Sequence, residues 1–291
     1  MSSSMVTSTT NSSQPSPVDV ASTNSKSIAK IILANTMDSS VGFTGVAAAF
    51  AHSIINKGAC GPLMLPNAES VKIISTQPLT PGDGLGRLAR IHDKNIQIGM
   101  SICGPYAYDT DILTPEGQDI FRSRVVQKFK KPGEKPDVVI VGTNISRTPS
   151  RDQAVGLCSL AEQARSMETT VIMYVSGFED VNYLKRLIAP VDTVHISRCT
   201  PDADDLMAFK IWAEDFGSLW MATPDEYMVS LPQNPDMNWK AEKFSSDDPT
   251  TRKMVRLYAE NKTYEEIAAL MGVNKSTVSR RLEKVRIQRR I

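Results

Sequence analysis

The sequence predicts an α/β fold, a doubly wound and mostly parallel sheet, with a small all-α domain appended at the C-terminal end. Three observations predict it. Short apolar, β-branched runs bounded by turn residues alternate with helical stretches over most of the 291 residues. The last stretch, 249–291, has no such runs and reads as helices only. Charge divides at the same place: 249–291 holds 11 Lys/Arg against 4 Asp/Glu, while the rest holds 22 against 28. The net charge of +1 excludes a uniformly basic coat. A basic end piece on an acidic body points to an appended nucleic-acid binder.

Residues 1–27 are dominated by Ser, Thr, Asn, Pro and Gln. They carry too little apolar surface to offset the entropy of ordering and read as a disordered tail. An α/β domain is expected over 28–231. It opens with a strand at 29–34, a Ser/Gly loop at 38–45 and an Ala-rich helix at 46–56 that stops at Gly58. Strands are predicted at 62–65, 71–76, 96–102 and 137–141. A helix at 152–166, a strand at 170–175, a helix at 179–188 and a strand at 193–197 follow. A helix at 203–216 and a strand at 218–222 complete the domain. Such sheets bind ligands at the carboxyl ends of their strands. Residues 232–248, rich in Pro, Asn, Asp and Ser, read as a linker to the module 249–291.

Three helices fit the module, at 250–260, from Thr263 to Gly272, and from near Ser276 onward. Thr263-Tyr-Glu-Glu266 is a capping box, with a hydroxyl first and a carboxylate three residues later. Gly272 allows a left-handed turn that a side chain would oppose. Ala268 is small where two helices cross, and Val278, Leu282 and Val285 form the apolar stripe of the last helix. This pattern over 264–282 resembles the helix-turn-helix of resolvase/invertase and related regulators. The resemblance implies that the start of the second helix meets base edges, through Ser276, Thr277, Ser279 and Arg280. Lys275, Arg281 and Lys284 are then assigned to phosphates.

Strand, Ser/Gly loop and helix is also the layout of a P-loop, whose backbone N–H groups cradle phosphate. The segment Asn35-Thr-Met-Asp-Ser-Ser-Val-Gly-Phe-Thr-Gly45 resembles the deviant Walker A of the ParA/MinD family, Lys-Gly-Gly-Val-Gly-Lys-Thr-Thr. In that register Asp38 stands for the signature lysine, and Ser39 and Ser40 replace two glycines. Val41 and Gly42 match, Phe43 replaces the phosphate-binding lysine, and Thr44 keeps the magnesium-coordinating hydroxyl. The aspartates expected after the second strand and after the Walker B-like strand are absent, at Pro66-Asn67 and Gly142-Thr143. With an anion where a cation belongs, a triphosphate meets repulsion. The expectation is therefore no cofactor and no catalytic residue, a pseudo-ATPase; binding of ATP with magnesium is the alternative.

Other signals are weak. Gly82-Asp-Gly-Leu-Gly86 lacks dinucleotide spacing, and His52, His92 and His195 have no ligand spacing. Cys60, Cys103, Cys158 and Cys199 form no CxxC, which fits neither zinc nor a disulfide framework. Ser146 and Ser159 lack the flanking pattern of a nucleophile, and Asp202, Asp204 and Asp205 suit the start of a helix. Trp212, Trp220 and Trp239 do not alternate with basic residues, so no single-strand stacking platform is expected. No metal site, membrane span or secretion signal is expected, and the setting is cytoplasmic.

The leading expectation is a homodimeric protein that binds double-stranded DNA. The ParA/MinD resemblance implies a plasmid or other mobile element, a role in partition, stability or transcriptional control, and another plasmid-encoded protein as partner. Two alternatives are an active, divergent ParA-type ATPase for DNA or cargo positioning, and a ligand-sensing transcription regulator.

Overall fold

The computed structural model describes residues 31–37, 41–55, 68, 70–75, 96–98, 112–126, 136–144, 149–178, 180–213, 226–234 and 236–288. The tail 1–27, the strands expected at 62–65 and 218–222, and the Gly82–Gly86 loop lie outside these residues.

The body is a nine-stranded sheet. Its strands are β1 (Ile31–Thr36), β2 (Val71–Ser75), β3 (Ile96–Ile98), β4 (Val138–Asn144), β5 (Thr170–Ser176), β6 (Asp192–Arg198), β7 (Asp205–Ala213), β8 (Tyr227–Pro232) and β9 (Lys240–Lys243). The spatial order is β3-β2-β4-β5-β1-β6-β7-β8-β9. Pairing is parallel from β3 through β6 and antiparallel from β6 to β9. Strand β5 lies between β1 and β4, so β1 and β4 are not neighbours.

Both faces of the parallel part are covered, which is why its central strands β1 and β5 are buried almost end to end instead of alternating. On one face packs α1 (Phe43–Ile55), whose Ala47, Ala48, Ala49 and Ala51 let it lie close over Ile32, Ile140 and Ile172. A Cβ on Gly45 would stand 2.7 Å from the Met207 methyl carbon, so the helix also approaches β7 closely. On the other face lie α2 (Pro115–Val126), α3 (Arg151–Ser166) and α4 (Val181–Ile188), which cover Leu33, Val141 and Met173. Helix α3 starts with a capping box formed by Ser150 and Gln153.

Two expectations are corrected here. The helix expected at 203–216 is strand β7 over Asp205–Ala213. Leu, Met and Ala favour helix locally, but Phe209 and Ile211 are buried two residues apart and pair with β6 and β8. Period-two burial decides against local propensity. Asp205 accordingly begins a strand and meets Lys240 Nζ at 3.0 Å. Within 232–248, read as a linker, 240–243 is an edge strand paired with β8. Its Lys-Ala-Glu-Lys sequence has no apolar run because an edge strand is held through its backbone and guarded by charge. Helix α2, Pro115–Val126, falls in a segment for which the sequence predicts no element.

Candidate nucleic-acid interface

The C-terminal module consists of α5 (Pro249–Ala259), α6 (Tyr264–Met271) and α7 (Lys275–Gln288). Asp248 caps α5, accepting from the N–H groups of Thr250 (3.3 Å) and Thr251 (3.1 Å), with Pro249 at the first helical position. Thr263 and Glu266 form the expected capping box on α6. Gly272 ends α6 in the left-handed region, φ 62° and ψ 34°, and the Val273 N–H closes back on the Ala268 carbonyl at 3.0 Å. A small core of Met254, Ile267, Ala268, Val278 and Leu282 holds the three helices together. Burial thus takes one face of α7 inward and leaves the other for solvent.

The DNA-contact candidates divide on this geometry. Ser276, Arg280 and Lys284 are exposed; Thr277 and Ser279 are half-buried. Lys275 is exposed and pairs with Glu265 at 2.5 Å, which holds that carboxyl below its ordinary range. Such a surface pair exchanges partners at little cost. Arg281 differs from its expected role. Its guanidinium is bonded to the Asp248 carboxylate and lies 3.1 Å from Thr251 Oγ1, so it ties α7 to the cap of α5. The Thr251 hydroxyl, followed by Arg281, keeps the Asp248 carboxyl low.

The module is also fastened to the sheet. Arg252, only 3% exposed, donates from Nε (3.2 Å) and Nη2 (3.0 Å) to Asp202 Oδ1. Its Nη1 reaches the Ser246 carbonyl at 2.7 Å, and Nη2 also reaches the Thr200 carbonyl. Arg256 Nη2 bridges Asp202 Oδ2 (3.0 Å) and Glu242 Oε1 (2.7 Å), and Glu242, the largest influence on it, raises its guanidinium. Asp202, expected to begin a helix, is instead the shared acceptor of the dock. The Asp248-Pro249 cap is a local sequence signal, whereas Asp202 lies 50 and 54 residues from the two arginines that it holds.

At the other candidate site, Asp38, Ser39 and Ser40 lie outside the described residues. Val41 is buried and its carbonyl accepts from the Tyr174 hydroxyl. Gly42 is exposed, and its carbonyl accepts the Val46 N–H at 3.4 Å. Phe43 and Thr44 begin α1, 8% and 7% exposed. The Phe43 ring lies 5.6 Å from the Tyr174 ring, and a Cβ on Gly142 would approach it to 2.8 Å. The Phe43 ring at the start of α1 thus packs on the sheet face, against Gly142 of β4 and Tyr174 of β5.

The weaker candidates have structural explanations. Ser159 Oγ donates to Gln118 Oε1 at 2.6 Å. Cys158 Sγ donates to the Leu187 carbonyl at 3.5 Å. Burial pushes the Cys199 thiol up to about 11, away from nucleophilic use. His195 stacks on Trp212, with ring centroids 5.3 Å apart. Trp239 is buried against Phe209. Among the described residues no group of His, Cys, Asp or Glu could hold a metal, and no helix is long and apolar enough to cross a membrane.

Comparison with known proteins agrees on the C-terminal module. The family model of Sigma-70, region 4, matches residues 248–288, the span from the α5 cap to the end of α7. No curated protein matches the chain. Among solved structures, the chain is similar to the flagellar accessory protein FlaH of Methanocaldococcus jannaschii. Identity is 10% over 73% of this chain and 89% of that one, with a TM-score of 0.43. It is also similar to a KaiC-like protein of Pyrococcus horikoshii OT3, at 12% identity over 74% and 89% of the two chains, again with a TM-score of 0.43. The C-terminal module is a helix-turn-helix of the DNA-binding type. The family model that matches this module is a sigma-factor region.

Proposed function

We propose that this chain is a DNA-binding regulator, in which the helix-turn-helix reads a duplex and the α/β body serves dimerisation and docking without hydrolysing ATP. One observation carries the reading. Helix α7 buries Val278, Leu282 and Val285 and turns Ser276 and Arg280 outward, in the positions from which such a helix meets base edges. The match to Sigma-70, region 4, supports duplex DNA as the ligand and transcription as the process.

The inactive body is supported by Phe43. A ring enclosed by Gly142 and Tyr174 supplies no charge to a β- or γ-phosphate, and phosphoryl transfer depends on such charge. The finer setting, a plasmid or other mobile element, rests on the likeness of 35–45 to the ParA/MinD loop. Paired half-sites, about 34–36 Å apart for a dimer, are expected.

The test is selection of duplexes from a random pool, followed by affinity measurement over a salt series. Sequence-specific binding that Ser276→Ala plus Arg280→Ala abolishes supports the reading. Unchanged specificity in that variant rejects this recognition face. Calorimetry with magnesium and ATP, then a phosphate-release assay, tests the body; turnover would reject the inactive scaffold.

A second reading, ligand sensing, is favoured by a cavity of about 620 Å³ between the starts of α2 and α3, lined by Leu113, Thr114, Gln118, Val155 and Ser159. A metabolite that shifts operator affinity would establish it.

A further inference from the structure

A second cavity, of about 780 Å³, opens between α7 and the segment that joins β9 to α5. Arg280, Arg281 and Lys284 line one wall, and Ser245, Ser246 and Asp247 line the other. Its three cations outnumber its two acids, and Lys210, the neighbour of Asp247, also stands 3.8 Å from Glu226. Asp247 lies 3.8 Å from Lys210 Nζ, and Asp248 is bonded to Arg281. Arg280 and Lys284 make no ion pair among the described residues. Their four-residue spacing puts both on one side of α7. The cleft therefore has surplus positive charge on the helix wall and two hydroxyls on the wall that belongs to the body.

That second wall is held in place. The Ser246 carbonyl accepts from Arg252 Nη1 at 2.7 Å, and the Phe244 N–H donates to the Glu226 carbonyl at 2.7 Å. Lys210 Nζ sits 4.6 Å over the Phe244 ring. Ser246 Oγ accepts the Asp248 N–H at 3.1 Å, which leaves the hydroxyl proton to be donated. A wall fixed before the ligand arrives loses little entropy on binding.

We propose that this cleft receives a phosphate of the DNA backbone beside the groove that α7 enters, so that the body supplies part of the DNA interface. The inference rests on the DNA-binding reading and deepens it. Lys284 neutralises the phosphate, Ser245 and Ser246 donate to its oxygens, and the exposed Arg280 remains available to base edges. Such a contact fixes register and carries no sequence information.

The experiment measures binding of a labelled mixed-sequence duplex by anisotropy over a salt series, using the full chain. Lys284→Gln is expected to reduce the slope of log affinity against log salt by about 0.9 and to weaken binding about eightfold at roughly 0.1 M salt. Ser245→Glu, a change in the body alone, is expected to weaken binding at least about tenfold through repulsion of the phosphate. Lys185→Gln on α4, which removes a charge elsewhere, is expected to leave both quantities unchanged, and thermal melts verify folding. Wild-type affinity and slope in folded Lys284→Gln and Ser245→Glu would overturn the cleft while leaving the DNA-binding reading intact. So would an effect of Lys185→Gln equal to that of Lys284→Gln. A wild-type chain that binds no duplex would overturn the DNA-binding reading itself, and the cleft with it.

Discussion

Arg252 and Asp202, fifty residues apart in sequence, meet through two donors on one oxygen: Nε at 3.2 Å and Nη2 at 3.0 Å from Oδ1. Arg256 takes the other oxygen of the same carboxylate at 3.0 Å. One side chain on the β6–β7 connection thus holds both arginines of α5, and through them sets the position of the helix-turn-helix against the sheet.

Removing that acceptor leaves a nearly buried guanidinium without its anion. Asp202→Ala is expected to destabilise the chain by about 3–5 kcal/mol, the range for breaking one side of a buried pair. Urea unfolding followed by far-ultraviolet dichroism would measure it. A change near zero would mean that the Thr200 and Ser246 carbonyls hold Arg252 unaided.

Phe43 is expected to behave as a core residue. Phe43→Ala should cost about 3–5 kcal/mol, as large-to-small changes in cores do. Phe43→Lys should be destabilising too, since the ammonium would be placed against the Tyr174 ring and Gly142 in a site closed to water. Calorimetric unfolding of both variants is the measurement. A Phe43→Lys chain as stable as wild type that also gains affinity for ATP would show a phosphate cradle beneath the ring.

Gly272 separates conformation from space. A Cβ there meets nothing within 4 Å, yet φ is 62°. Gly272→Ala is expected to cost about 1–2 kcal/mol from the left-handed backbone alone, and Gly272→Asn less. Gly156 is the opposite case: an added Cβ would lie 2.0 Å from the Leu113 carbonyl oxygen. Gly156→Ala must push α3 away from the start of α2, and hydrogen exchange in 112–126 should rise.

The Asp248 cap predicts a pH dependence with a definite sign. Hydrogen bonds from Thr251 and the charge of Arg281 lower its carboxyl below the ordinary 3.8. A depressed folded value stabilises the native state above the unfolded value, and that contribution is lost as pH falls through the folded one. Wild type should therefore melt higher than Asp248→Asn at neutral pH, with the two curves converging below the usual carboxylate range. A gap that persisted in strong acid would contradict the assignment.

Several elements were legible because their signals are local. The capping box Thr263-Tyr-Glu-Glu266, the αL turn at Gly272 and the stripe Val278, Leu282, Val285 all formed as spacing required. The strands around Ile32, Ile140 and Ile172 were readable as continuous apolar runs. Strand β7 was not, because Leu206, Met207 and Ala208 suit a helix until Phe209 and Ile211 find partners across the sheet. Strand β9 was hidden because its stabilisation lies in backbone bonds to β8, which hydropathy does not record. The place of Arg281 along a basic helix suggests a phosphate contact; the Asp248 carboxylate that claims it lies 33 residues earlier.

By itself, the sequence determined the fold class, the basic and helical character of the C-terminal end, and the aromatic residue at position 43. These depend on residue type and short spacing, which the chain carries wherever it goes. Only the tertiary structure decided that Phe43 fills its site with a packed ring, that Asp202 docks the helix-turn-helix, and that Ser245 faces Lys284 across a cleft. The physical reason is that 33 cations and 32 anions allow a great many pairings. Which of them form is settled by sheet register and helix packing, and those bring together residues that sequence distance keeps apart.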